Sequence, residues 1–177
     1  DSGKIFFDGR DISNLPIHSR SKIGLARSFQ ITNIFKEMTA LDNVALAVQS
    51  RSAHSFFFWE NAKIDPKLRN PASDFLNQVG LKKRADIIAG QLSHGEHRQL
   101  EIAMALATKP KMLLLDEPMA GMGPEESRSM VEILQKLKRK LTILLVEHDM
   151  DVVFALADKI TVLVYGKVIA TDKPEII

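Results

Sequence analysis

The stretch Lys111-Met112-Leu113-Leu114-Leu115-Asp116-Glu117-Pro118 decides the fold class. Four apolar residues in a row, closed by two carboxylates, form the short continuous run of a parallel-sheet strand covered on both faces. Pro124 then opens a helix with Glu125 and Glu126 in its first turn and Lys136, Lys138 and Arg139 near its end, which complements the helix dipole. Its buried stripe is Met130, Ile133, Leu134 and Leu137. Leu141 to Val146 makes a second fully apolar strand, ending in Glu147-His148-Asp149. Val152 to Ala157 is helical. Ile160 to Val164 is a strand that turns at Tyr165-Gly166 into a hairpin with Lys167 to Thr171. Strand and helix alternate from residue 111 onward, which specifies an α/β architecture.

Immediately upstream, Leu92 to Leu106 reads as a capped helix. Ser93 followed by Glu96 is a capping box, in which each side chain satisfies a free backbone N–H. Leu100, Ala103, Met104 and Ala107 recur at helical spacing, and Lys109-Pro110 stops the helix. Gly95 leaves the first turn uncovered, and a helix start with free N–H groups attracts anions. A capped surface helix accounts for these residues taken alone.

Further upstream the signals are weaker. Lys4 to Gly9 reads as a short strand, Ile17 to Ser21 as a helix entered through Pro16, and Ile23 to Phe29 as a buried strand. A helix follows Thr39, with Leu41, Val44, Ala45 and Val48 on one face and Thr39 or Asp42 as cap. Residues 50–71 are irregular and carry Ser55-Phe56-Phe57-Phe58-Trp59, either a loop folded onto its helical neighbours or a contact surface for a partner. Asp74 to Val79 is helical and ends at Gly80.

The 177 residues suffice for one domain with a core. Lys and Arg number 24 against 22 Asp and Glu, so charge gives no support to a nucleic-acid or anionic-membrane partner. The absence of cysteine excludes disulfides and thiolate metal sites. No apolar run approaches the ~20 residues of a membrane span.

Ligands of open parallel sheets bind beyond the carboxyl ends of the strands. Asp116, Glu117 and His148 all fall at such ends. Four apolar residues and then Asp-Glu-Pro is the pattern of a Walker B strand, whose first carboxylate helps to hold Mg²⁺ and whose second can polarise an attacking water.

In this order and spacing the motifs resemble the ATP-binding subunits of ABC transporters, over essentially the whole chain. Leu92-Ser93-His94-Gly95-Glu96 is similar to the family's Leu-Ser-Gly-Gly-Gln signature. Met112 to Pro118 looks like its Walker B, and Ala120-Gly121-Met122-Gly123-Pro124 looks like its D-loop. Gln30 sits where the Q-loop glutamine would, and His148 where the switch histidine would. The resemblance implies a P-loop NTPase-like core with a mostly parallel sheet and an inserted helical subdomain. Residues 1–30 and 110–177 would be core, and 31–109 the insertion.

It also implies roles. Asp116 and Gln30 would hold Mg²⁺, Glu117 would be the general base, and His148 would contact the γ-phosphate. Ser93 and Gly95 would contact the γ-phosphate of ATP held by an opposite subunit, with His94 and Glu96 in the flanking signature slots. His94 and Glu96 depart from the usual Gly and Gln, Gly123 from the usual acidic D-loop residue, and Met104 from a common arginine. Implied partners are a second ATPase subunit and transmembrane permease subunits, at the cytoplasmic face of the membrane.

Ala26 to Gln30, Phe35 to Thr39, the aromatic run and Glu96 with Leu100 to Ala103 look like bacterial branched-chain amino acid importers; urea importers share much of this pattern. An ABC-type ATPase acting on nucleic acid or ribosomes is the alternative of another class, as is a non-catalytic module. No Gly-x-x-x-x-Gly-Lys-Ser/Thr occurs in the sequence, and Asp1-Ser2-Gly3-Lys4 starts abruptly without Met. The expectation is a fragment without its principal phosphate loop, which alone would bind ATP poorly.

Overall fold

The computed structural model describes residues 3–27, 34–51 and 65–177. Gln30 and the run Phe56 to Trp59 lie outside these. The first strand expected from the sequence is a hairpin of β1 (Phe6–Phe7) and β2 (Arg10–Asp11). Asp8 and Gly9 at its tip have φ of 52° and 75°, the two positive values that an Asp-Gly type I′ turn supplies. The Lys111 ammonium bonds the Asp8 carboxylate, holding its pKa below the ordinary value and fastening the hairpin to the start of the next strand but one. Pro16 leads into α1 (Ile17–Lys22), and β3 (Leu25–Arg27) follows.

The central sheet is parallel, in the order β3, β4 (Met112–Asp116), β5 (Thr142–Val146). Its register aligns Ala26, Leu113 and Ile143, with Leu115 beside Leu145. These residues face the core, which joins Leu113 and Leu115 to Leu100 and Ala103 of α4 (His94–Ala107) and Met130 and Leu134 of α5 (Pro124–Leu137).

The other face corrects the expectation of strands covered on both sides. Leu113 and Leu115 are at most 1% exposed, whereas Leu144 and Val146 are 52% and 54% exposed. A continuous apolar run carries no information on which face receives a helix; among the described residues only one face joins the core.

The helical layer is α2 (Ala40–Arg51), α3 (Pro66–Gln78) and α4, packed on one another. Thr39 Oγ1 accepts the Asp42 N–H at 3.0 Å and is the cap of α2. α3 starts well before the expected Asp74: Asp65 caps it by accepting from Lys67 N–H at 2.9 Å, and Pro66 occupies the first turn. Pro71 inside it lacks one N–H, but Leu68, Ala72 and Leu76 share a buried face, and that packing outweighs the lost bond. Gly80 ends the helix at φ 82°.

α5 buries Met130, Ile133, Leu134 and Leu137, the stripe read from the sequence. Asp149 caps α6 (Met150–Leu156), and β6 (Ile160–Val164) pairs with β7 (Lys167–Asp172) across Tyr165-Gly166.

Candidate functional site

Two groups of the expected residues assemble, joined by the loop between β4 and α5. At the start of α4, Ser93 Oγ accepts the Glu96 N–H at 3.2 Å and Ser93 N–H donates to Glu96 Oε2 at 2.8 Å. The capping box is complete. Arg84 grips the same carboxylate from the preceding segment, Nε to Oε1 at 2.8 Å and Nη2 to Oε2 at 3.3 Å. The glutamate in place of the signature glutamine therefore carries a guanidinium partner, which fixes the helix start in orientation.

His94 Nε2 lies 3.1 Å from the carbonyl oxygen of Ala120, linking the helix start to the loop after β4. Opposite Gly95 stands Glu126 of α5: a Cβ built on Gly95 would be 2.6 Å from Glu126 Oε1. Ser93 Oγ donates to that oxygen at 3.0 Å. Ser93, Gly95, Glu96, Gln99 and Glu126 line a cleft here.

The second group sits at the carboxyl ends of β4 and β5. Asp116 pairs with Val146 in the register and lies on the open face of the sheet. Arg27 Nη2 approaches its Oδ2 at 3.6 Å, a diagonal contact from β3. Glu117 leaves the strand at φ 46° while its N–H donates to Val146 O at 2.9 Å. This turn carries its carboxylate to His148, whose Nδ1 is 3.4 Å from Glu117 Oε1. Both side chains reach solvent, at 41% and 77% exposure.

The sequence reading missed Glu147 as a site residue. Its side chain is only 2% exposed and accepts the Met119 N–H at 3.4 Å and the His148 N–H at 3.3 Å, tying the two strand ends together. A charged residue following an apolar strand is the signal that points to it, but the alternation that turns it inward is a property of the fold. The sequence places Glu126 only as a complement to the α5 dipole.

No described hydrogen bond or ion pair joins Ser93–Glu96 directly to Asp116, Glu117 or His148. The strand-end group can place a carboxylate and an imidazole beside one reacting centre. The α4 group has the N–H groups of a helix start, which attract an anion, with the Ser93 hydroxyl already given to Glu126. Among the described residues no three His, Cys, Asp or Glu converge as a metal cage. Mg²⁺ requires none, since it keeps several waters and takes one or two hard oxygen ligands. The Asp116 carboxylate, with its side chain 32% exposed, fits that role. No described helix is long and apolar enough to cross a membrane.

Comparison with known proteins places these groups in context. The family model described as ABC transporter matches residues 1–120. The high-affinity branched-chain amino acid transport ATP-binding protein BraF of Pseudomonas aeruginosa is 37% identical, over 98% of this chain and 71% of the relative. Among solved structures, MJ1267, an ATP-binding cassette of an ABC transporter, superposes with a TM-score of 0.82 at 31% identity, covering 99% of this chain and 71% of that one. The dimeric post-hydrolysis state of the ATP-binding cassette MJ0796, bound to ADP and Pi, superposes with a TM-score of 0.79 at 25% identity, covering 98% and 74%.

Proposed function

The chain belongs to the ABC transporter family, and on that premise we propose that it is the ATP-binding, ATP-hydrolysing subunit of an importer for branched-chain or related hydrophobic amino acids. The observation that carries this reading is Glu117 turned toward His148 at the carboxyl ends of two parallel strands, within the ordered motif set. BraF's name and the near-neutral charge favour it over an ATPase acting on nucleic acid.

In this reading two subunits close on ATP, each nucleotide meeting the Ser93–Glu96 turn of the opposite copy. Glu117 takes a proton from the water that attacks the γ-phosphorus, and the bond from that phosphorus to the β–γ bridging oxygen breaks to leave ADP. His148 contacts the γ-phosphate and stands beside the Glu117 carboxylate. Asp116, with Gln30, would hold Mg²⁺, which would neutralise phosphate charge. Ser93 and Gly95 supply a hydroxyl and a backbone N–H to the partner's γ-phosphate, while His94 and Glu96 fix the turn.

Residues 1–30 and 110–177 form the ATPase core and 31–109 the helical insertion that meets a transmembrane permease. The assembly sits at the cytoplasmic face of the membrane.

In the full-length protein, Glu117→Gln lowers ATP turnover by about 10²-fold or more and leaves ATP-dependent dimers, read by phosphate release and sedimentation. Normal hydrolysis by this variant removes the base assignment. Leucine uptake by the reconstituted assembly, abolished by Glu117→Gln, tests the cargo.

A further inference from the structure

Glu126 covers the start of α4. Its Oε1 accepts the Ser93 hydroxyl at 3.0 Å and lies against the open side of Gly95. Its Oε2 accepts the Gly123 N–H at 3.3 Å, so the first turn of α5 holds the carboxylate in this position. Glu96 nearby is neutralised by Arg84, but no cation lies within ion-pair reach of Glu126 among the described residues. Glu125 lines the same cleft and adds to the negative charge.

A serine hydroxyl has one proton to donate. While Ser93 gives it to Glu126, it cannot give it to a phosphate. A carboxylate and a phosphate also repel when both face the same helix end. We propose that Glu126 is a resident, displaceable anion of the α4 turn: it occupies in the resting subunit the groups that the partner's ATP must engage, and so sets the ATP concentration at which the dimer closes. This rests on the proposed role of Ser93 and Gly95 toward a partner's nucleotide. Docking requires Glu126 to release Ser93 and swing away, while Gly123 N–H remains available to keep it on α5.

The test uses the full-length protein carrying Glu117→Gln, so that ATP closes dimers without being consumed. Dimer formation is followed by sedimentation across an ATP titration. Adding Glu126→Gln retains an acceptor for Gly123 but removes the charge, and the half-saturating ATP concentration falls about two- to fivefold. The fall is larger at low ionic strength, because salt screens the repulsion. Glu126→Asp, which shortens the reach to Ser93 and keeps a capping carboxylate, moves in the same direction and decides the matter if the Gln variant does not fold. Glu132→Gln makes the same charge change at an exposed position of α5 and leaves half-saturation unchanged. An unchanged or higher half-saturation in the folded Glu126 variants, or an equal fall in Glu132→Gln, overturns the proposal. If the Glu117→Gln parent forms no ATP-dependent dimer, the underlying assignment of the α4 turn fails instead, and this proposal with it.

Discussion

Glu147 holds the strand ends in register without reaching the solvent that Glu117 and His148 face. Its two acceptor bonds, to Met119 N–H and His148 N–H, connect the loop after β4 to the end of β5. Each bond of this kind contributes about 1 kcal/mol, and 1.36 kcal/mol is tenfold in rate. Glu147→Ala removes both, about 2 kcal/mol, so it lowers kcat roughly 30-fold and leaves the KM for ATP within about twofold, since neither bond involves nucleotide. Glu147→Gln keeps one acceptor oxygen and recovers part of kcat. Steady-state kinetics on both variants, normalised to folded protein by circular dichroism, distinguish this from simple destabilisation, which would leave kcat per folded molecule unchanged. At this scale the sequence was informative where chemistry demands a residue type. Asp116, Glu117, His148 and Ser93 were legible as strand-end or cap residues. Glu147 and Glu126 were not, because their roles depend on which way a side chain turns where a strand ends or a helix begins.

The same division holds for the elements. α5 and the α4 capping box were legible because amphipathic spacing and cap chemistry are local. The start of α3 was not: Pro71 is a local stop signal, and only the buried face of Leu68, Ala72 and Leu76 overrides it. A second non-local element is the segment 35–40. Ala40 N–H donates to Ile87 O, Ala89 N–H to Met38 O and Gly90 N–H to Lys36 O, zipping this loop along the segment that leads into Ser93. Asn43, fully buried, anchors it: its Oδ1 accepts Phe35 N–H at 2.8 Å, and its Nδ2 donates to Phe35 O and Thr39 O at 3.0 and 2.9 Å. Asn43→Ala removes all three bonds and costs about 1–3 kcal/mol, a fall in Tm of roughly 3–10 °C. Amide hydrogen exchange should rise first at Met38 to Gly90 contacts, ahead of the sheet. Uniform loss of protection across the sheet and α5 would show that Asn43 serves the whole core instead of this loop.

Among the described residues the central sheet has one sealed face and one open one. The sealed face carries Ala26, Leu113 and Leu115 against α4 and α5. The open face carries Leu144 and Val146 in a row that ends beside Asp116 and Arg27. The sequence marks β4 and β5 as apolar runs, yet it could not divide their residues between faces, because large aliphatic side chains stand on both. The consequence is physical: an exposed apolar row beside a charged strand end is a surface that lowers its free energy by being covered. For the 177-residue chain in solution, a second copy is available at high concentration. Leu144 is half exposed, so covering it contributes about 1 kcal/mol per copy, counted twice in a symmetric pair. Leu144→Thr preserves strand propensity and removes most of that contribution, weakening concentration-dependent self-association about tenfold or more in sedimentation equilibrium. The melting temperature should change little, because Leu144 does not belong to the sealed core. A large loss of Tm with unchanged association would mean that this row is already covered within the monomer.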